Sequence, residues 1–284
     1  MKTRHITFFI LFSLMSCGPS REEIVSNKLN EAIMLRDSGQ YNLAKLKLDT
    51  IINQFIDMTD EVAYAIKILD EIKLLEQQRN LQYLDSMISL KEKELEPLLK
   101  NFIRSDEYGT QPIYIHKRQR PENSYNRTFL RAHLDTNGEF YISSRYYGRT
   151  WIQHNQIKVY NAGQSVTSEV VPEDGYLNRR FQDGESKWEI VTYKDGADNG
   201  IINFIASNAD KPLKVQFIGK KHYFIVMESF DKEAIRDGYE TSFVLRELAG
   251  LKKERKQVLQ QIEQLEKIIN THHSPQKEIR HAMR

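Results

Sequence analysis

Apolar positions follow two rhythms along this chain. Over 21–102 and again over 229–271 they recur every three or four residues, the spacing of one helix face. Between 109 and 228 they alternate, the spacing of a strand. The first rhythm starts after Ser20, with Glu23 three residues on, which predicts a capped helix over 21–37. Ser38-Gly39-Gln40 interrupts it, a second helix begins near Tyr41, and Met58-Thr59-Asp60 marks a third start with Thr59 or Asp60 as cap. From Glu61 the pattern continues to Phe102. Within it Leu74, Gln77, Leu81, Leu84, Ile88, Lys91, Leu95, Leu98 and Phe102 form a seam of coiled-coil spacing. Pro97 predicts a kink, or a break with a short helix restarting there.

A second seam, Val244, Leu248, Leu251, Arg255, Val258, Ile262, Leu265 and Ile269, lies near the other end. Residues 229–237 read as a lead-in turn or short helix, and Gly238 and Gly250 weaken the region without forbidding helix. Each seam measures about 40 Å at ~1.5 Å per residue. Equal lengths on either side of a strand-rich middle predict antiparallel pairing within the chain. The alternative is that each seam pairs with a second copy, giving a homo-oligomer. With Phe102 opposite Val244, Lys91 faces Arg255. That repulsion is relieved by a slip of one heptad, or by the heads snorkelling toward Glu94 and Glu254.

In the middle region Leu130, Ala132 and Leu134 alternate with Arg131 and His133. An Asn137-Gly138 turn leads on to Phe140 and Ile142, the strongest hairpin signal in the chain. Further strands are predicted at 112–116, 156–160, 165–171, 187–194, 200–206, 213–219 and 222–227. Leu213, Val215 and Phe217 face the core, as do Ile202, Phe204 and Ala206. Short strands with no helices between them predict an antiparallel sandwich or barrel. The whole is an α+β chain: a helical hairpin (21–57), a long helix (58–104), the β-sandwich (109–228), a returning long helix (229–271) and a polar tail (272–284).

The first residues follow neither rhythm. Met1-Lys2-Thr3-Arg4-His5 is basic, residues 6–15 are mostly apolar, and Leu14-Met15-Ser16-Cys17 closes the run. This resembles the signal peptide and lipobox of bacterial lipoproteins. The resemblance implies export, removal of residues 1–16, acylation of Cys17 and a short tether over 17–20. Gly18 follows Cys17 where an aspartate would favour the inner membrane in known lipoproteins, so the outer membrane is the expected anchor, with either face open. The apolar run is about half the ~20 residues a spanning helix needs. Ala32, Gly39, Tyr41, Ala44, Leu48 and Ile51 resemble a single tetratricopeptide-type hairpin. That resemblance implies close helix approach, and one such unit does not make a binding groove.

Charge adds no second membrane signal. The 284 residues carry 41 Lys+Arg and 39 Asp+Glu. Loss of Lys2 and Arg4 with the signal segment brings the cations to 39, so the mature chain is formally neutral and nucleic acid loses its support as a partner. Cys17 is the only cysteine, so the fold stands without an internal disulfide.

The chain has no Gly-x-Ser-x-Gly elbow, no His-Glu-x-x-His helix and no phosphate loop, since Gly219-Lys220-Lys221 sits where a hairpin turn belongs. No cofactor or metal is expected. His116, His133, His154 and His222 fall in the strand region without ligand spacing, and Asp183, Glu185, Asp195 and Asp198 fall in turn-like segments. The most suggestive group is aromatic: Tyr141, then Tyr146, Tyr147 and Trp151. Such rings can stack on sugars or anchor a protein, or else plug the end of the β region. The sequence therefore predicts a non-enzymatic, lipid-anchored envelope protein whose helical stalk presents a β interaction domain. Its rivals are a glycan-binding protein using Tyr146, Tyr147 and Trp151, and a hydrolase with two carboxylates far apart in sequence.

Overall fold

The computed structural model describes residues 19–106 and 111–272. The expected signal segment, Cys17 and all residues past 272 lie outside the described residues. The chain divides into two compact units, one drawn from residues before 82 and after 257, the other spanning 82–257.

The first unit is helical. It holds α1 (Arg21–Asp37), α2 (Tyr41–Gln54) and the start of α3 (Thr59–Leu99). The Ser20 side chain caps α1 by accepting from the Glu23 N–H at 3.1 Å, a bond worth about 1 kcal/mol. Gly39 ends the helix at φ +76°, where its N–H and that of Gln40 satisfy carbonyls of the last turn. Ala32, Ala44, Leu48 and Ile51 are fully buried between these helices, together with Val25, Ile68 and Ile72. The small alanines let the helices approach. Arg36 to Glu71 at 2.7 Å and Lys45 to Glu76 at 2.8 Å tie α1 and α2 to α3 at the rim.

Among the described residues the second unit contains ten strands: β1 (Phe102–Ser105), β2 (Ile113–His116), β3 (Phe129–Asp135), β4 (Phe140–Gly148), β5 (Gln156–Tyr160), β6 (Ser165–Thr167), β7 (Asn178–Asp183), β8 (Ser186–Tyr193), β9 (Lys214–Ile218) and β10 (Tyr223–Val226). Two short helices interrupt them, α4 (Pro121–Ser124) and α5 (Ile201–Ser207), and α6 (Ser229–His272) follows. The strands form two antiparallel sheets, of order β1-β2-β3-β4-β8-β7 and β10-β9-β5-β6. Neither sheet closes on itself. Leu130, Ile142, Val191 and Tyr193 from the first share one buried cluster with Ile157, Val159, Val215 and Phe217 from the second.

The expected hairpin is present, with Leu134 opposite Phe140. Its turn is held by Asp135, whose carbonyl accepts from Gly138 at 3.2 Å and whose carboxylate accepts from the N–H groups of Asn137 and Glu139. Gly138 has φ +83°, and a Cβ there would meet the Ser242 carbonyl of α6 at 2.6 Å. Gly238 of α6 in turn lies against the Phe140 ring, leaving no room for a side chain. Close approach, not helix propensity, explains these two glycines.

Four expectations are corrected. Residues 201–207 form a helix, not a strand. Ile201, Ile202 and Ile205 are its buried face, while Asp198 accepts from the Ile202 N–H at 3.1 Å. Seven apolar-rich residues satisfy both periods, and the Asp198 cap with left-handed Gly200 decides for helix. Residues 168–171 do not extend β6, and β7, composed largely of polar residues, was not foreseen. Pro97 neither breaks nor restarts α3, which ends two residues later at Leu99. Residues 229–237 belong to one continuous α6.

Between α3 and α6 the described pairing is within the chain and antiparallel. Leu95 shares a buried cluster with Val244, Leu245 and Leu248. Lys91 meets Glu247 at 2.6 Å, Lys252 meets Glu92 at 2.7 Å and Arg255 meets Asp85 at 2.6 Å. Arg255 thus sits opposite Asp85 and not Lys91, close to the one-heptad slip, and the cation clash does not arise.

Candidate functional site

Strand alternation gives the six-stranded sheet two different faces. Leu130, Ile142, Tyr146 and Val191 point into the shared core, so their neighbours point the other way. Register then sorts the outer residues into rows. Tyr147, Trp188 and Phe181 lie side by side on β4, β8 and β7. The next row holds Phe129, Arg145, Ile190 and Arg179, and the one after it Arg131, Ser143 and Thr192. His133 and Tyr141 follow. None of these positions is acidic.

The aromatic row is continuous. Tyr147 and Trp188 have ring centroids 4.8 Å apart, and Phe181 lies parallel to Trp188 at 5.9 Å. Tyr125 stands edge-on to Trp188 at 6.3 Å. Phe181 and Tyr125 are 46% and 70% exposed, so the row opens to solvent. In the cationic rows Phe129 lies beneath two guanidiniums, Arg127 at 4.2 Å and Arg145 at 6.0 Å. His133 stacks on Tyr141 at 4.7 Å and hydrogen-bonds Ser143 Oγ at 2.8 Å. Its imidazole is held well below its ordinary pKa, first by loss of water around it and then by Arg131, Arg145, Lys194 and Arg179.

The inner face holds a different assembly. Ser144 Oγ lies 2.8 Å from His154 Nε2, and His154 Nδ1 lies 2.8 Å from Glu189 Oε2. The sequence serine, histidine, carboxylate is that of a hydrolytic relay. Glu189 also accepts from the backbone N–H groups of Ile152, Gln153 and His154 at 2.7–2.8 Å. Burial pushes the Glu189 carboxyl upward, but the bonds from His154 and the backbone outweigh it and hold it below the usual range. Burial holds His154 low as well, against the pull of Glu189. The stable arrangement is therefore a carboxylate beside a neutral imidazole that donates through Nδ1 and accepts the Ser144 proton at Nε2. All three residues are fully buried. The Phe217 ring stands edge-on to His154 at 5.2 Å, and the Tyr193 hydroxyl lies 3.3 Å from Ser144. A serine walled in this way gives a substrate no approach. The relay works as a satisfied polar plug in an apolar core.

The singled-out residues are dispersed. Tyr146 is not an exposed ring: it is 3% exposed, lies in the core and donates its hydroxyl to the Thr150 carbonyl at 2.9 Å. It sits on the inner phase of β4, and a Cβ at Gly148 would collide with it. Tyr147 belongs to the outer row, and Trp151 is half-buried with Lys187 5.3 Å over its ring. His116 pairs with Asp237 at 3.3 Å and His222 with Gln216 at 3.1 Å. Among the described residues no three His, Cys, Asp or Glu side chains are grouped to hold a metal. Asp183 closes the β7–β8 turn opposite Ser186, Asp195 is a turn residue at φ +53°, and Asp198 caps α5. Sequence reasoning missed Ser144, Trp188, Glu189, Arg179 and Phe181. Glu189 had a signal: Val191 and Tyr193 mark the inward phase of its strand, so an acid two residues before Val191 needed a buried partner.

No described helix is long and apolar enough to cross a membrane. No protein-family model, curated protein or solved structure matches the chain.

Proposed function

We propose that this chain is an exported, lipid-anchored, non-enzymatic envelope protein, and that the outer face of its six-stranded sheet is the surface it presents to an envelope component. One observation carries this reading. An aromatic row, Tyr147–Trp188–Phe181, reaches solvent at Phe181 beside exposed Arg179, on a sheet whose other face is committed to the core. Aromatic rings and arginine are the side chains that dominate recognition surfaces. In this reading the two sheets act as a sandwich, supported by the cluster they share, and the long helices serve as the stalk expected from the sequence. Cys17 is the acylated residue, supported by the basic start, the apolar run and the absence of any other cysteine. The outer membrane is the expected site of anchoring.

Two measurements test this. Labelled palmitate should enter the wild-type chain and not Cys17→Ala; label in both, or in neither, overturns the anchor. A photo-crosslinking residue placed at Phe181 in intact cells should yield discrete adducts, whereas one at exposed Met34 of α1 should not. Equal adducts at both sites, or none at Phe181, would remove the surface from consideration.

A further inference from the structure

A sheet edge is a row of backbone donors and acceptors without partners, and proteins guard such rows with charge, proline or shortness. The two sheets end in β1, β7, β6 and β10. Three of these are guarded. β1 carries Arg104, β7 carries Arg179, Arg180 and Asp183, and β6 is three residues long with two hydroxyl side chains. β10 reads Tyr223-Phe224-Ile225-Val226 and carries no charge or proline. Register shows which way its backbone points. Tyr223 lies opposite Phe217 and Ile225 opposite Val215 on β9, and the Met227 N–H continues the ladder to the Leu213 carbonyl at 2.8 Å. Hydrogen-bonded pairs recur at every second residue, so the N–H and C=O groups of Phe224 and Val226 face away from β9. Among the described residues no further strand takes them up. Their side chains are open too, Phe224 at 56% and Val226 at 61%, while the Tyr223 ring and Ile225 turn toward the core.

We propose that β10 pairs antiparallel with β10 of a second copy of this chain, about a two-fold axis at Ile225, joining two four-stranded sheets into one. The edge is complementary to itself, which decides for a second copy over a foreign strand. The two-fold sets Phe224 opposite Val226 of the other copy, twice, and these are the residues whose backbone groups face outward to exchange hydrogen bonds. It also sets His222 opposite Glu228, twice, on the same outer side of the sheet. Both are exposed. The Gln216 side-chain amide donates to His222 Nδ1 at 3.1 Å, so the proton sits on Nε2, ready for the Glu228 carboxylate of the other copy. The row is thus apolar at its centre, with a nitrogen donor at one end and an acid at the other. An axis at Phe224 would set His222 against Val226 and leave Glu228 opposite the β9–β10 turn. This contact lies on the four-stranded sheet and is separate from the surface proposed above.

The purified full chain, in detergent matched in density to the solvent, is followed by sedimentation equilibrium across the micromolar range. A monomer–dimer equilibrium is expected. Val226→Pro removes an N–H that faces solvent in the monomer and, by symmetry, takes two backbone bonds from the dimer. Phe224→Lys sets a charge in the apolar centre of the row. Each should weaken dimerisation about 10-fold or more, with the thermal unfolding midpoint of the dilute monomer unchanged. Charge exchange locates the axis: His222→Glu and Glu228→Lys should each weaken the dimer, and the double variant should restore it. A wild-type chain that stays monomeric overturns the inference, as does a dimer that survives both Val226→Pro and Phe224→Lys. A double variant no tighter than either single one overturns the axis at Ile225. None of these outcomes bears on the crosslinking test at Phe181, so the two proposals fail separately.

Discussion

Strand β4 carries two adjacent serines, each hydrogen-bonded at 2.8 Å to a histidine, on opposite faces of one sheet. Inside, Ser144 meets His154, which meets Glu189. Outside, Ser143 meets His133, which meets tyrosine and arginine. The chemical pair is the same and its surroundings reverse its meaning. The inner histidine has a carboxylate to orient it and no path to solvent, so a relay geometry becomes a structural plug. The outer histidine has lost the water around it and lies near Arg131, Arg145, Lys194 and Arg179, so it stays neutral and flat on Tyr141. A constellation of catalytic residues is therefore judged by its access and its field, not by its distances alone.

The largest expected effect comes from removing the inner carboxylate. Glu189→Ala strips the partner from three backbone N–H groups and from His154 in the core. It should cost about 3–5 kcal/mol in denaturant unfolding; a loss below 1 kcal/mol would show that the plug is dispensable. Next, the two serines should separate the faces. Ser144→Ala leaves His154 Nε2 without its donor in the core and should cost about 1–3 kcal/mol, against about 0.5–1.5 for Ser143→Ala. Equal costs would erase the contrast.

Acid should act on both histidines. Each has a lowered folded pKa, so the unfolded chain takes up the proton first. Their stabilising contribution is full above the unfolded value of ~6.5 and is lost as pH falls from there toward the folded values. Glu189, also lowered, adds a second loss only below its unfolded value of ~4.3. Unfolding midpoints measured from pH 7.5 to 5 should therefore fall, and His133→Gln should flatten part of the slope. A flat profile in the wild-type chain would contradict both shifts. The smallest effect belongs to the helix pair. Arg255→Ala removes an exposed bond to Asp85 and should cost less than about 1 kcal/mol, and a larger loss would show that the ion pair fixes the register.

What could be read from the sequence follows from how local each determinant is. Helix starts, the Gly39 stop and the Gly138 turn are encoded within a few residues, and they were legible. Residues 201–207 were misjudged because a short apolar segment fits either period and the deciding cap, Asp198, lies outside it. Strand β7 escaped because Asn178-Arg179-Arg180 carries almost no apolar signal. Its strand character comes from pairing with β8, where Phe181 finds Trp188. The outer surface was invisible for the same reason. Tyr147 could be singled out, but its row exists only through cross-strand register, and Tyr146 beside it belongs to the other face.

Helix α6 enters this register from outside the strands. Near its start Asp231, 2% exposed, accepts from Arg127 at 2.5 and 2.9 Å and from Gln119 at 2.9 Å, and Gln119 also holds the backbone of β3 at Leu130 and Ala132. Two turns on, Asp237 accepts from Asn101 at 2.9 Å and pairs with His116. The helix behaves as a clasp that fastens strands laid down more than a hundred residues earlier. A nascent chain that has emerged only as far as residue 228 has every described strand but still lacks Asp231 and Asp237, the acceptors for Gln119, Arg127 and Asn101.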